Sequence, residues 1–209
     1  RERGDSKAAE IARVLREQFG DIPLPLTEKL PDIQRFTPEA RKALEKKGYI
    51  IVTLTGQSIK SLRDAGKRFW STWHKNNPEL EEMQSRMSEV AINPEQLFLP
   101  DSNNKTLDQQ VDMVKQFSKG LRVKGAEAVV GEMPDYIDLA FAHLGLTGNR
   151  LFGEKYGYNY TRTLTPTGVS RVASVGGFLA VRGLYVNGWY RDRGNGGLFV
   201  APLVVPKAA

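Results

Sequence analysis

Apolar residues recur at three- and four-residue spacing in five stretches of the chain, a pattern that predicts α-helices with one buried face. Residues that favour helix ends flank these stretches: Thr37 is a suitable N-cap, and Gly48 and Gly145 are suitable stops. Residues 21–38 contain repeated prolines and predict an extended linker. The predicted helices cover residues 5–19, 38–47, 58–73, 107–117 and 134–144, with a weaker one at 78–87.

Runs of β-branched and aromatic residues predict short strands. Residues 49–54 (YIIVTL) form the clearest run, and residues 88–92 (SEVAI) form an extended piece. After a turn at Gly148, the helical pattern gives way to short β-type pieces at residues 156–160, 169–175, 178–180 and 198–205. We therefore expect an N-terminal helix with a proline-rich linker over residues 1–36, and one domain of helices and strands over residues 37–209.

The composition lacks the catalytic and metal-ligating side chains on which many enzyme classes depend. The 209-residue chain has 40% hydrophobic residues, enough for a sizeable core, but no cysteine. Disulfides, thiolate nucleophiles, thiolate metal sites and iron–sulfur clusters are therefore excluded. The two histidines, His74 and His143, lie far apart in the sequence, so we expect no histidine-based metal site or catalytic triad. For His143, a packing or capping role at its helix end is favoured.

The net charge of +6 and the pI near 9.5 suit an acidic partner, such as nucleic acid or a charged surface. A moderate excess of charge also keeps proteins soluble, so charge alone does not choose between these roles. No apolar run approaches the roughly 20 residues that a bilayer-spanning helix needs. We therefore expect no membrane insertion.

The composition changes sharply after Lys155. No lysine, glutamate or glutamine occurs between Lys155 and Lys207, although these three types make up roughly a sixth of the whole chain. Nine of the 20 glycines fall in this segment, and its positive charge comes from arginine alone. Random placement of residues would rarely leave such a gap, so the gap calls for an explanation.

Within residues 171–199, positions that suit a structural role alternate with positions that share no chemistry. The first set, which would form a scaffold, comprises Val172, Val175, Gly176, Phe178, Gly183, Leu184, Val186, Trp189, Asp192, Gly194, Leu198 and Phe199. The second set, which would project from it, comprises Arg171, Ser174, Gly177, Leu179, Val181, Tyr185, Gly188, Tyr190, Arg193, Gly196 and Gly197. Tyrosine and arginine beside glycine and serine are also the mixture that binding loops favour.

Four motifs in this segment resemble the variable region of diversity-generating retroelement variable proteins, the C-type-lectin-fold proteins of phages, bacteria, archaea and archaeal viruses. They are VxxVG at residues 172–176, GLxVNxW at 183–189, DxGN at 192–195 and LFxAPLxVP at 198–206. This frame is similar to the formylglycine-generating-enzyme-like branch of the fold. The strong match covers roughly the last 40 residues, and a weaker architectural match covers most of residues 36–206.

The resemblance implies an α+β domain of the C-type lectin fold, with short mixed strands, two main helices and a glycine-rich β finish. It places the variable region at about residues 169–199, preceded by the scaffold and an N-terminal helical extension. Asn195, in the DxGN motif, joins Asp192 and Gly194 in the scaffold.

In that family, reverse transcription randomises template adenines, so asparagine codons become a wide set of amino acids. Changing both adenines of such a codon reaches every residue type except Lys, Glu, Gln, Met and Trp. The compositional gap is what this process would leave, and every residue of the second set belongs to the reachable types. Trp189 is not reachable in this way, so it is assigned to the scaffold.

Two activities known for this fold are not expected here. Calcium-dependent lectins use a Glu-Pro-Asn or Gln-Pro-Asp loop, and the nearest approach, Asn93-Pro94-Glu95, lies far upstream of the β-rich finish. Formylglycine-generating enzymes rely on cysteines, which this chain lacks, so we expect neither that catalysis nor a cofactor or metal.

The leading hypothesis is a ligand-binding protein whose diversified surface contacts a macromolecular or cell-surface ligand, with no enzymatic reaction. The family implies display on virions or cells. The predicted contact residues are Arg171, Ser174, Gly177, Leu179, Val181, Arg182, Tyr185, Gly188, Tyr190, Arg191, Arg193, Gly196 and Gly197.

Three alternatives stay open at this stage. Nucleic acid could bind the C-terminal surface through its arginines and stack bases on its tyrosines. An enzyme could use Tyr190, Asp192 and Asn195 at a polar pocket, although a turn-forming role for Asp192 is favoured. The helix at residues 5–19 could pack on the domain, or present its apolar stripe to a partner or a second copy of the chain.

Overall fold

A computed structural model describes residues 32–70 and 76–207. The predicted helix at residues 5–19 and most of the proline-rich linker lie outside the described residues. The described part is a mixed α+β domain with five α-helices and two four-stranded sheets, which confirms the predicted class. None of the helices in these two stretches is long and apolar enough to span a membrane.

The order of elements is helical at first and strand-rich at the end. The helices are α1 (Pro38–Lys46), α2 (Ile59–Asp64), α3 (Pro78–Glu82), α4 (Leu107–Leu121) and α5 (Met133–Thr147). The strands are β1 (Ile50–Thr55), β2 (Met87–Ile92), β3 (Ala126–Val129), β4 (Tyr160–Gly168), β5 (Arg171–Leu179), β6 (Gly183–Tyr190), β7 (Leu198–Phe199) and β8 (Leu203–Pro206). The strand order is β1-β2-β8-β3 in the first sheet and β6-β5-β4-β7 in the second.

Local sequence signals explain where the helices begin. The Thr37 hydroxyl accepts a hydrogen bond from the amide of Ala40 (3.2 Å) at the start of α1. At the start of α4, the side chains of Thr106 and Gln109 accept hydrogen bonds from each other's backbone amides and form a capping box. The predicted helices at residues 38–47, 107–117 and 134–144 are confirmed, since α1, α4 and α5 match them to within a few residues.

Helix α5 lies in the main core of the domain. Ten of its residues are buried, and its sequence is apolar on most sides, as expected of a helix that contacts protein all round. It packs against β1, β4 and β5, and so joins the two sheets. A second cluster lies where α1 packs on the first sheet, with Phe36 and Leu44 from that side and Val114 from α4.

The C-terminal segment connects the two sheets. The predicted strand at residues 198–205 is divided in two: β7 pairs with β4 in parallel, whereas β8 pairs antiparallel with both β2 and β3. Between them, the buried Ala201 donates its amide hydrogen to the Thr161 hydroxyl (2.9 Å). The last strand of the chain therefore lies inside the first sheet, and pairing of distant segments is needed to form it.

The predicted helix at residues 58–73 is wrong over residues 65–70, and residues 71–73 lie outside the described residues. Gly66 follows the end of α2, and the chain then runs extended beside β6. Leu184 donates its amide hydrogen to the carbonyl of Arg68 (3.0 Å), and Trp70 donates to the carbonyl of Leu184 (2.9 Å). The free edge of β6 offers these hydrogen bonds, and they outweigh the helical spacing of the apolar residues.

Other predicted bounds also change. Of the predicted strand at residues 156–160, only Tyr160 lies in a strand: Tyr156 ends a 3-10 helix (Glu154–Tyr156), and a turn and a short irregular stretch follow at residues 157–159. The Tyr156 hydroxyl donates a hydrogen bond to the carbonyl of Pro94 (2.6 Å). The weak helix at residues 78–87 is reduced to α3. Strands β3 and β6 are not among the predicted strands. Each is stabilised by hydrogen bonds to a neighbouring strand, β3 to β8 and β6 to β5, rather than by a strong local strand signal.

The conformation of Gly183 provides a test of this architecture. Its φ is +89°, and a Cβ atom built there would lie 2.2 Å from the carbonyl oxygen of Arg68. We expect Gly183→Ala to lower the free energy of unfolding by about 1–3 kcal/mol from the backbone conformation alone, with more from the clash. Urea unfolding followed by circular dichroism measures this difference.

Gly120→Ala is the matched control, because Gly120 lies in α4 with nothing near its missing side chain. That variant should gain roughly 0.5–1 kcal/mol through helix propensity. Equal stability of the two variants would contradict the close pairing of residues 68–70 with β6.

Candidate functional site

The β5–β6 hairpin places alternate residues on opposite faces. In its register, Ser174 pairs with Asn187 and Gly176 with Tyr185, and these residues share the face that points away from the core. The opposite face carries Val175, which is fully buried. We call the first face, with residues 172, 174, 176, 185, 187 and 189, the outer face of the hairpin.

A small cavity lies on the outer face. It has a volume of about 130 Å³ and is lined by Tyr160, Ser174, Tyr185, Asn187, Trp189, Asn195 and Leu198. The indole Nε1 of Trp189 is buried and has no hydrogen-bond partner among the described residues. A buried donor without a partner is costly, so a water molecule or an acceptor group of a ligand would stabilise it.

Aromatic rings form a cluster next to this cavity. The ring centroids of Trp70 and Tyr185 are 4.8 Å apart, those of Tyr160 and Tyr185 are 5.7 Å apart, and those of Trp70 and Tyr158 are 6.4 Å apart. Tyr158 is 59% exposed. The Arg182 guanidinium lies over the Trp70 ring at 4.5 Å, so its charge is positioned by the cluster while the side chain stays exposed.

A second group surrounds Tyr190 at the end of β6. The guanidiniums of Arg171 and Arg193 each lie 4.4 Å from the centre of the Tyr190 ring. The hydrogen bond and charge of Arg171, with the charge of Arg193, lower the pKa of the Tyr190 hydroxyl. Neither arginine forms an ion pair with the described residues, so this part of the surface has positive charge available for a ligand.

The structure brings some predicted contact residues together and separates others. Ser174 and Tyr185 meet at the cavity, whereas Arg171 and Tyr190 lie on the other face of the hairpin by register. Arg191 forms an ion pair with Asp108 at the start of α4 (3.1 Å). The remaining exposed members are in turns: Val181 and Arg182 between β5 and β6, and Arg193 and Gly196 after β6.

The other predicted contact residues are less accessible. Leu179 and Gly188 are half-buried within β5 and β6, and Gly197 is half-buried before β7. Ser174 is 5% exposed, although it lines the cavity. Gly177 is buried with a φ of +56°, a conformation that strains other residues.

The predicted scaffold glycines lie where no side chain fits. A Cβ atom would lie 2.4 Å from the carbonyl oxygen of Asn159 at Gly176, and 2.6 Å from the carbonyl carbon of Asn104 at Gly194. At Gly196 the nearest atom would be 3.9 Å away. Among the other predicted variable glycines, a Cβ atom at Gly188 would lie 2.9 Å from the Thr167 hydroxyl oxygen, and Gly177 has a positive φ, so space for a side chain does not separate the two predicted groups.

The two polar scaffold residues, Asn195 and Asp192, differ in their hydrogen bonds. The Asn195 side chain accepts a hydrogen bond from the amide of Gly197 (2.9 Å), and its backbone carbonyl accepts one from Asn104 (3.0 Å). The Asp192 carboxylate is exposed and forms no hydrogen bond with the described residues. Its effect is electrostatic, through the nearby cation of Arg162.

Arg162 is the main structural residue that the sequence analysis did not assign. It is fully buried on β4, and its guanidinium donates to the carbonyls of Lys105 (2.9 Å) and Arg193 (2.6 Å). Burial lowers its pKa to about 10, and Asp192 partly opposes this effect. One side chain thus ties the loop before α4 and the loop after β6 to the second sheet.

The aromatic cluster was also missed in part. Trp70 falls within the predicted helix at residues 58–73, and Tyr158 and Tyr160 fall within the predicted strand at residues 156–160, neither of which predicts a binding role. The position of Gly66 within the predicted helix is the signal that could have separated Trp70 from it. No local signal points to the meeting of Trp70 with Tyr185, because it depends on β6 pairing with residues 68–70.

Metal ligands do not converge at this site. Within residues 32–70 and 76–207, no group of three or more acidic or histidine side chains is placed to hold an ion. In the Asn93-Pro94-Glu95 turn, the Glu95 carboxylate pairs with Lys155 (2.6 Å), and the Asn93 side chain accepts the Glu95 amide (3.0 Å). This turn therefore uses its polar groups internally.

No protein-family model matches the chain, and neither a characterised protein nor a solved structure shows significant similarity to it.

The role of Arg162 can be tested with a conservative change. Arg162→Lys keeps the charge, but a single ammonium group cannot bond both carbonyls in the same geometry. Since hydrogen bonds to charged groups contribute about 1.5–3 kcal/mol each, we expect a loss of about 2–4 kcal/mol in unfolding free energy. Guanidinium chloride titration followed by tryptophan fluorescence measures this loss.

Arg122→Lys serves as the control, because Arg122 is exposed at the end of α4. Its effect should stay within about 0.5 kcal/mol. If the two substitutions cost the same, Arg162 does not hold the loops as described.

Proposed function

We propose that the protein is a ligand-binding variable protein of a diversity-generating retroelement, which displays a diversified surface on a C-type lectin scaffold. The carrying observation is that the predicted variable and scaffold residues within 171–199 differ in exposure. Most predicted variable residues, such as Arg182 and Val181 (82% exposed), are exposed or half-buried, whereas Ser174 and Gly177 are buried. Most predicted scaffold residues, such as Leu184, are buried in the core, whereas Asp192 and Gly194 are exposed.

The architecture supports the lectin-like part of the proposal. Two 15-residue helices, α4 and α5, precede a glycine-rich β region, in the order that the resemblance implies. The three scaffold glycines with no room for a side chain keep the backbone in close contact, so exchange of neighbouring exposed residues leaves the frame intact.

The surface has the chemistry of a binding site for a macromolecule. Aromatic rings at Tyr158, Tyr185 and Tyr190 provide large contact area at low entropic cost. Arg171, Arg182 and Arg193 provide planar charged groups without carboxylate partners among the described residues. The cavity beside Trp189 adds a recess for one small group of the ligand. None of these features requires a reaction, so binding is the function they support.

Sequencing of the encoding locus with its flanks tests the retroelement part. We expect a near-duplicate of the segment that encodes residues 169–199, differing only where the duplicate has adenine. Asparagine codons should stand opposite positions such as Tyr185 and Arg182, and Trp189 should be invariant. If neither a duplicate nor a reverse-transcriptase gene is found nearby, the diversification proposal fails.

Nucleic-acid binding is the second candidate, because Arg171 and Arg193 form no ion pair with the described residues and both lie over the half-buried ring of Tyr190. Under the leading proposal, a 20-nucleotide single strand should bind weakly, and Tyr185→Ala with Tyr190→Ala should not change its affinity. Fluorescence anisotropy at several salt concentrations measures this.

A steep fall of oligonucleotide affinity with salt, together with its loss in the double variant, would favour nucleic acid instead. Lys42→Ala with Lys119→Ala is the control, because both lysines are exposed on helices and neither lines the cavity nor contacts Tyr190. An equal effect of the two double variants would indicate nonspecific charge attraction.

A further inference from the structure

A separate groove lies beside the C-terminal end of α5. It has a volume of about 590 Å³, in the range of small-molecule sites, and is bounded by the start of β1, the turns at residues 94–95 and 148–151, and the end of β5. None of the predicted contact residues lines it. The groove therefore does not belong to the surface described above.

One part of the groove is apolar. Ile50 and Tyr156 line the groove, are half-buried and pack against the main core cluster, to which the buried Leu151 and Phe178 belong. A ligand that covers the exposed parts of Ile50 and Tyr156 would remove apolar surface from water. This half suits the hydrocarbon or aromatic body of a small molecule.

The groove also holds one cation without a partner. The Arg150 guanidinium lies 5.6 Å from the centre of the Phe178 ring and is exposed. It forms no ion pair with the described residues, whereas the neighbouring Lys155 is paired with Glu95. A guanidinium binds an oxyanion such as a carboxylate through two parallel hydrogen bonds.

His143 supplies a hydrogen-bond acceptor in the same groove. Its Nδ1 lies 3.0 Å from the carbonyl of Asn149; since a carbonyl only accepts, Nδ1 carries the hydrogen. Burial lowers the pKa of His143, so the ring is neutral near pH 7. Nε2 then offers a lone pair and has no hydrogen bond to the described residues, so it suits a ligand O–H or N–H.

The charge balance favours a single negative charge on the ligand. Only Arg150 is unpaired among the cations lining the groove, and the C-terminal dipole of α5 opposes additional negative charge. A dianionic phosphate would therefore be held less well than a monocarboxylate.

We propose that this groove binds an organic monocarboxylate with an apolar body and a hydrogen-bond donor, held by Arg150 at the carboxylate and by His143 Nε2 at the donor. An aromatic hydroxy acid has this chemistry. The same groups occur on a tyrosine at the free C-terminus of a peptide.

The test uses 4-hydroxyphenylacetate and the full chain, with chemical shifts followed by NMR. We expect saturable binding that Arg150→Gln weakens about tenfold or more, because a charge-assisted hydrogen bond is lost. Lys119→Gln, an exposed charge loss on α4, should leave the affinity unchanged. Ala180→Trp, at the exposed edge of the groove, should block binding without unfolding the domain.

Two probes each remove one anchor. 4-Hydroxyphenylacetamide lacks the negative charge and phenylacetate lacks the donor; both should bind more weakly, and Arg150→Gln should not weaken the amide further. N-Acetyl-glycyl-tyrosine and its C-terminal amide are titrated beside them. Tighter binding of the peptide acid than of 4-hydroxyphenylacetate would indicate a chain terminus as the source, and weaker binding would indicate a free acid.

Three results would overturn the proposal. They are no saturable binding of either acid at low-millimolar concentration, equal affinities of acid and amide, and equal effects of Arg150→Gln and Lys119→Gln. Because the groove shares no predicted contact residue with the outer face, failure here leaves the proposed function untouched.

Discussion

The Arg162 guanidinium is buried beneath the candidate binding surface, and two loops are positioned by it. Among the described residues it has no carboxylate within hydrogen-bond reach; its terminal nitrogens donate to the carbonyls of Lys105 and Arg193, and its buried Nε has no partner there. Burying a cation away from water costs free energy, and the hydrogen bonds to both carbonyls offset this cost only while the two loops stay in place. The loop before α4 and the loop after β6 are therefore held together, and with them the stack of Arg193 on Tyr190.

In the β5–β6 strand pair, buried residues that hold the fold alternate with outward residues that can contact a ligand. A helix does not place successive residues on opposite faces in this way. Successive residues of β6 point to opposite faces, so Val186 is buried while Tyr185 meets the aromatic cluster. Exchange of an outward residue leaves its inward neighbours packed. The close backbone contacts at Gly176 and Gly183 set a limit to this freedom, because they require glycine whatever stands beside them.

The outer face and the groove beside α5 differ in how they meet a ligand. The outer face carries the small recess with half-buried Tyr185 and Trp189 in its wall, and exposed arginines lie in the turns and on the opposite side of the hairpin, an arrangement that suits one protruding group of a large partner. The groove is larger, partly apolar and has one unpaired cation, which suits a whole small molecule. The β5 strand contributes to both, through Ser174 at the recess and Phe178 at the groove.

The sequence alone determined those features whose causes are local. The cap at Thr37 predicts the start of α1, the helical spacing of apolar residues predicts α4 and α5, and the short β-type pieces with interleaved glycines predict the β region. The absence of lysine, glutamate and glutamine between Lys155 and Lys207 is likewise evident from the sequence alone. The alternation of inward and outward residues follows from strand geometry once the hairpin is recognised.

Tertiary structure decided what depends on distant partners. Residues 68–70 leave the predicted helix because the edge of β6 pairs with them, and only then does Trp70 reach Tyr185. Arg162 resembles the other arginines of its segment in the sequence, yet its place on β4 buries it between two loops. The groove likewise forms where α5, β1 and β5 meet. The local sequence does not predict these tertiary contacts, because their energies come from interactions between segments far apart along the chain.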